Sequence, residues 1–122
     1  MKHLPKLSKH DHLLDFLGAC LECDAPEVLE MLLKDICTKN EVDALAERWS
    51  IAKLLYMGFS YRIIMEKTGS SSATISRMAR LLVQGSGGLR SACIRREQQF
   101  FFDRPNDIHG PVFCRVFTPS AA

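Results

Sequence analysis

The chain lacks the features that would place it in a membrane or in a secreted, disulfide-bonded class. No apolar run approaches the ~18 residues of a transmembrane helix, and residues 1–7 contain no apolar core typical of a signal peptide. The five cysteines are an odd number and lie far apart, which argues against a disulfide framework. We therefore predict a cytoplasmic protein with no membrane association.

The motifs of catalysis are also missing. There is no Gly-rich phosphate loop and no nucleophile motif, and the four histidines lie in the predicted terminal segments. An enzyme would need reactive groups that converge on one point. We therefore predict no enzymatic activity, no cofactor and no metal site.

A strong overall charge is absent as well. The formal net charge of +2 is too small to imply nucleic acid by bulk electrostatics, so any basic footprint must be local. The C-terminal half supplies a group of arginines that fits this description: Arg77, Arg80, Arg90, Arg95 and Arg96. The length of 122 residues favours a single domain.

What the chain does contain is helical periodicity through its N-terminal half. Residues 11–23 alternate acidic and apolar groups at helical spacing, and Asp24 is a candidate cap for a second helix that begins near Pro26. Thr38 and Glu41 have the spacing of a capping box, which predicts a third helix running to Met57.

The third helix is apolar on more than one side, and the first two are rich in leucine. A helix that is apolar nearly all round is buried nearly all round. A chain of this length cannot easily cover so many apolar faces by itself. A homodimer made largely by residues 11–57, with Leu29, Leu32 and Leu54 buried, is the simplest solution, and a compact monomeric bundle is the alternative.

Residues 61–82 have the pattern of two helices joined by a tight turn. Gly69 lies where the chain must reverse, and three serines follow that can cap the second helix. Ile75, Met78 or Ala79, and Leu82 are spaced to form its inner face. This layout is typical of a helix-turn-helix, whose second helix enters the DNA major groove. The predicted outer face consists of Ser72, Ala73, Ser76, Arg77 and Arg80.

The C-terminal region loses this regularity. Gly85–Gly88 ends the last clear helix, and residues 89–99 have the composition of a short basic helix. From Phe100 onward the chain is rich in phenylalanine and proline without helical period. A flexible tail, a docking segment and a strand-forming patch all fit this composition, and its apolar character favours partial docking on the body.

Four segments together resemble the Trp repressor superfamily, and most closely its YerC/YecD branch of TrpR-related proteins. They are Cys37–Arg48, Ala52–Leu55, Tyr61–Ile63 and Thr68–Arg77, of which the last is the most specific. The resemblance implies an all-α, intertwined homodimer whose two helix-turn-helix heads each read one half-site of a palindromic operator in double-stranded DNA. It places this domain in residues 1–89 and leaves residues 90–122 as a basic and then aromatic extension, irregular and partly disordered.

The resemblance also assigns roles to individual positions. Carried over by position, the DNA-facing surface includes Tyr61, Arg62, Ser72, Ala73 and Ser76. The helical pattern adds Arg77 and Arg80, and we predict that backbone N–H groups near Ser71 contact phosphate. Thr38, Arg48 and Arg77 match positions that line the tryptophan pocket of the true repressor. Met78, however, stands where that repressor has a glycine against the indole ring. We therefore predict a transcriptional repressor whose effector, if it has one, is not L-tryptophan.

Two alternative functions remain open from the sequence. Cys20 and Cys23 have a ligand-like spacing and, with His10 and His12 upstream, would suit a zinc-responsive regulator. Two cysteines three residues apart in an amphipathic helix are also common as small core residues. Alternatively, the helix-turn-helix could have lost DNA binding and kept a protein partner.

Overall fold

The computed structural model describes residues 5–102, and this range is entirely helical with connecting turns. The all-α fold predicted from the sequence is confirmed. The helices are α1 (Lys9–Glu22), α2 (Pro26–Ile36), α3 (Lys39–Tyr56), α4 (Tyr61–Thr68), α5 (Ser72–Gln84), α6 (Gly88–Arg95) and α7 (Glu97–Phe102). The chain divides after Asp43 into two compact units. None of the described helices is both long and apolar enough to cross a membrane.

The N-terminal unit contains α1, α2 and the first turn of α3. Ser8 caps α1 with a full capping box, in which its Oγ accepts from the Asp11 N–H at 3.1 Å and Asp11 Oδ2 accepts from the Ser8 N–H at 3.0 Å. This cap was not predicted. The cap predicted at Asp24 is wrong, because Pro26 begins α2 and the capping position falls on Ala25, which makes no side-chain cap.

The predicted start of α3 is confirmed in detail. The Thr38 N–H donates to Glu41 Oε1 at 2.8 Å, and Thr38 Oγ1 accepts from the Glu41 N–H at 3.2 Å. The bond from the Thr38 N–H is the largest cause that lowers the pKa of the Glu41 carboxyl below its usual value, and the Thr38 side chain adds to it. The helix ends at Tyr56, one residue before the predicted Met57, and Gly58 follows in a left-handed conformation with φ +93°.

The hydrophobic core lies in the C-terminal unit. It is formed by the second half of α3 together with α4 to α7, and its largest fully buried side chains are Ile51, Ile64, Ile75, Leu82, Cys93 and Phe100. Burial raises the pKa of the Cys93 thiol to about 11, so this thiol is a neutral core group at physiological pH. Gly85 ends α5 as predicted, and α6 and α7 follow it and complete this core.

The three leucines predicted to be buried have different environments. Leu54 is buried in the core, whereas Leu29 and Leu32 are only half-buried in the single chain. The docking predicted for the aromatic C-terminal segment holds at Phe100, which is 1% exposed. The rest of that prediction falls on residues 103–122 and lies outside the described residues.

Candidate nucleic-acid interface

The site is built on a helical hairpin whose ends are fixed by local hydrogen bonds. Ser60 caps α4, since its side chain accepts from the Ile63 N–H at 3.3 Å. Gly69 ends the helix at φ +72°, and its N–H donates to the Met65 carbonyl at 2.9 Å. A side chain at Gly69 would be strained in this left-handed conformation, although nothing lies within 4 Å of the added Cβ.

The turn that follows is held by hydroxyl groups. Thr68 Oγ1 donates to the Ile64 carbonyl at 2.7 Å and accepts from the Ser70 N–H at 3.2 Å. Ser71 then caps α5, because its Oγ accepts from the Thr74 N–H at 3.2 Å. The predicted serine cap is thus confirmed, and it belongs to Ser71 among the three candidates.

A longer-range bond joins this turn to α3. The Ser70 hydroxyl donates to Glu47 Oε1 at 2.6 Å, across 23 residues of sequence. Ser70 is buried at 7% exposure. This pair is not evident from the sequence, because nothing in the local pattern distinguishes Glu47 from the other exposed acids of the helix.

The two faces of α5 match the sequence prediction. Ile75, Met78 and Leu82 are buried in the core. The opposite face is exposed and carries Ser72, Ala73, Ser76, Arg77 and Arg80. Small side chains near the N-terminal end of a helix allow close approach to base edges, and arginines one turn farther along can reach bases or phosphate.

The remaining residues predicted for this surface are also accessible. Tyr61 and Arg62 are exposed at the start of α4, and Ser71 is exposed at the start of α5. Arg77 and Arg80 line one shallow cleft of about 290 Å³, together with Leu81 and Gln84. The hairpin therefore presents all eight predicted residues to solvent. Their role in binding DNA stays a prediction.

The local charge of this region is strongly positive. Residues 61–96 contain seven lysines and arginines against one glutamate, although the whole chain carries only +2. An arrangement of this kind gives a local electrostatic attraction for phosphate that the overall charge conceals.

The three positions suggested for a ligand pocket are distributed over both units. Thr38 is in the N-terminal unit, where it caps α3, and Arg48 and Arg77 are exposed in the C-terminal unit. Met78 is only 5% exposed and belongs to the same buried cluster as Ile51 and Ala52 of α3.

The cysteine pair suggested as a metal site occupies the end of α1. Cys20 lies in the last turn, and Cys23 is the C-terminal cap, with its thiol donating to the Ala19 carbonyl at 3.5 Å. Within residues 5–102, no group of three or more potential ligands comes together. The alternative of a metal-responsive regulator stays a prediction.

Comparison with known proteins shows a sequence match that includes most of the described helices. A sequence profile of the family described as Trp repressor protein matches residues 11–97. YerC of Bacillus subtilis (strain 168) is 43% identical over 61 residues, which are 50% of this chain and 59% of YerC. The chain thus covers less than two thirds of YerC. The predicted domain boundary at residue 89 stays a prediction.

Two solved structures of TrpR-like proteins are similar to this chain in both fold and sequence. A TrpR-like protein from Eubacterium eligens ATCC 27750 has a TM-score of 0.69 and 34% identity, over 73% of this chain and 92% of that protein. A Staphylococcus aureus protein described as a candidate Trp repressor has a TM-score of 0.67 and 31% identity, over 71% and 87% of the two chains. This chain belongs to the Trp repressor family, a family of DNA-binding regulators that are not enzymes.

Proposed function

We propose that the protein is a transcriptional repressor that binds a palindromic DNA operator as a homodimer. The observation that carries this proposal is the division of α5 into a buried apolar face and an exposed face of small residues and arginines. The seven basic residues against one acid in residues 61–96 supply attraction to phosphate. Tyr61 and Arg62 extend the same surface from the start of α4.

The N-terminal helices support the dimer. No residue of α1 or α2 is buried in the single chain, and Leu21 and Met31 are 87% and 67% exposed. Further large apolar side chains on these helices are also exposed: Leu13, Leu14, Leu17, Val28 and Ile36. Apolar surface of this extent is typical of a protein interface. Association through it would give two heads related by twofold symmetry, which a palindrome matches.

The proposed repressor does not use L-tryptophan as its effector. Met78 fills space in the core where the family resemblance calls for a glycine beside the indole ring. The two arginines that would flank the ring, Arg48 and Arg77, remain exposed and are free to meet another anion or DNA phosphate.

The proposal is tested by selecting bound sequences from a random duplex pool with the full-length protein. We expect a palindromic consensus whose half-site centres lie about one helical turn apart, roughly 10 base pairs. A consensus without symmetry would contradict the dimer. A pool with no enrichment at low salt would contradict DNA binding and favour the protein-interaction alternative.

A further inference from the structure

We propose that Glu47 is a positioning residue for DNA binding, because its carboxylate holds the turn from which α5 begins. This inference rests on the proposed function and adds a residue outside the DNA-facing surface. The proposal is based on the hydrogen bond of 2.6 Å that the Ser70 hydroxyl donates to Glu47 Oε1.

The environment of Ser70 explains why this bond is strong. Ser70 is the one polar residue that is buried within residues 5–102. A buried hydroxyl without an acceptor is costly, and an acceptor that carries charge gives a shorter and stronger bond than a neutral one. Since Glu47 itself remains exposed, its carboxylate keeps part of its hydration while it satisfies Ser70.

The bond lies at the junction of three helices. The Ser70 N–H is already tied to Thr68 Oγ1 at the end of α4, and the next residue, Ser71, caps α5. Glu47 adds the connection to α3, the helix that supplies much of the core. Gly69 lacks a side chain, so side-chain contacts at this turn must come from its neighbours.

The consequence concerns the direction of α5. Ser72 and Ala73 form its first exposed turn, directly after Ser70 and Ser71. A small displacement at the start of a helix moves these side chains relative to base edges, whose readout depends on hydrogen-bond geometry. Loss of the Glu47 bond should therefore lower affinity for the operator more than affinity for random DNA.

The test compares four variants of the full-length chain with the parent: Glu47→Ala, Glu47→Gln, Ser70→Ala and the double variant Glu47→Ala/Ser70→Ala. Affinity is measured for the selected operator and for a random duplex of equal length, and thermal unfolding confirms the fold. Glu66→Ala is the matched control, because it removes an exposed carboxylate from the same hairpin.

We expect Glu47→Ala and Ser70→Ala each to weaken operator binding about tenfold, the size of one lost base contact, because either change releases the start of α5 from α3. The double variant should lose no more than either single one, since both remove the same bond. Glu47→Gln should remain within about threefold of the parent because its amide oxygen still accepts. Random-duplex affinity should change less than operator affinity in every variant.

Amide hydrogen exchange on the free protein supplies a readout that is independent of DNA. We expect faster exchange at the start of α5 in Glu47→Ala, and parental rates in Glu66→Ala. Equal behaviour of these two variants in exchange and in affinity would overturn the inference. So would failure of Glu47→Gln to restore operator binding, or an equal loss on both duplexes. A parent that binds no duplex would refute the proposed function instead, and exchange would still decide whether Glu47 holds the turn.

Discussion

Arg77 and Met78 are neighbours in the chain, yet they lie in opposite environments. A helix rotates by about 100° per residue, so consecutive side chains can face solvent and core. Arg77 is exposed beside Arg80, whereas Met78 is buried with the apolar side chains of α3. Two consecutive residues of α5 therefore have different roles: Arg77 is a candidate DNA contact, and Met78 packs in the core.

The first prediction at this scale concerns Arg62 and Arg80. Replacing either by alanine should weaken operator binding by ~1–3 kcal/mol and relax specificity if the arginine reads a base, whereas a phosphate contact would weaken all sequences alike. Titrations against operator and random duplex at several salt concentrations measure both effects. Lys9→Ala serves as the charge-matched control, because it removes an exposed positive charge on α1, outside residues 61–96. Parental behaviour of both variants on every duplex would show that the assignment is wrong.

A second residue-scale prediction concerns L-tryptophan. Because Met78 is packed in the core, we expect calorimetry with L-tryptophan up to millimolar concentration to show no heat of binding. Methionine is flexible, so the experiment must include high ligand concentrations. A micromolar dissociation constant that is lost in Arg77→Ala would restore the tryptophan-repressor assignment.

At the scale of elements, α7 completes the core with residues beyond the family match. The match ends at residue 97, and Phe100 then packs against Trp49 and Tyr56, with ring centroids 6.1 Å apart in both pairs. The Tyr56 hydroxyl also donates to Glu97 Oε1 at 3.1 Å. Burial, with a smaller contribution from this bond, raises the pKa of Tyr56 to about 12. The aromatic cluster thus joins α7 to α3.

This cluster leads to a prediction about stability. Phe100→Ala removes a fully buried ring and should lower the free energy of unfolding by ~3–5 kcal/mol. Denaturant titration followed by circular dichroism gives this value, and the fluorescence of Trp49, the one tryptophan of the chain, reports the local change. The exposed neighbour provides the control, since Gln99→Ala should leave stability near that of the parent. An unchanged midpoint in Phe100→Ala would mean that α7 does not support the core.

At the scale of the whole molecule, apolar surface is distributed unevenly. The C-terminal unit has a buried core, whereas α1 and α2 of the N-terminal unit bury no residue in the single chain. Helix propensity by itself does not account for α1 and α2, because most helical stability in proteins comes from the packing of an apolar face. A second copy of the chain is the partner that we expect.

The corresponding prediction is a dimer in solution that one interface charge disrupts. Met31→Glu places a carboxylate on the exposed apolar face of α2 and should shift the protein towards monomer, since burial of an unpaired charge is costly. Light scattering at micromolar concentration should give twice the 13.8 kDa chain mass for the parent and for the control Glu27→Ala. A monomeric parent would refute the dimer and remove the basis for a palindromic operator.

Much of this fold could be predicted from the sequence by itself, because its signals are local. The capping box at Thr38, the Ser71 cap and the left-handed Gly69 each depend on residues within three or four positions. The buried and exposed faces of α5 likewise follow from helical periodicity. Asp24 shows the limit of such signals, because the capping position of α2 lies one residue later than predicted, at Ala25.

Only the tertiary structure decided which distant residues meet. Glu47 and Ser70 are 23 positions apart, and Tyr56 and Glu97 are 41 positions apart. No periodicity or spacing rule connects such pairs, because their approach depends on how the intervening helices turn and pack. The same reason applies to Phe100, whose sequence context indicated an apolar segment but not its place against Trp49 and Tyr56.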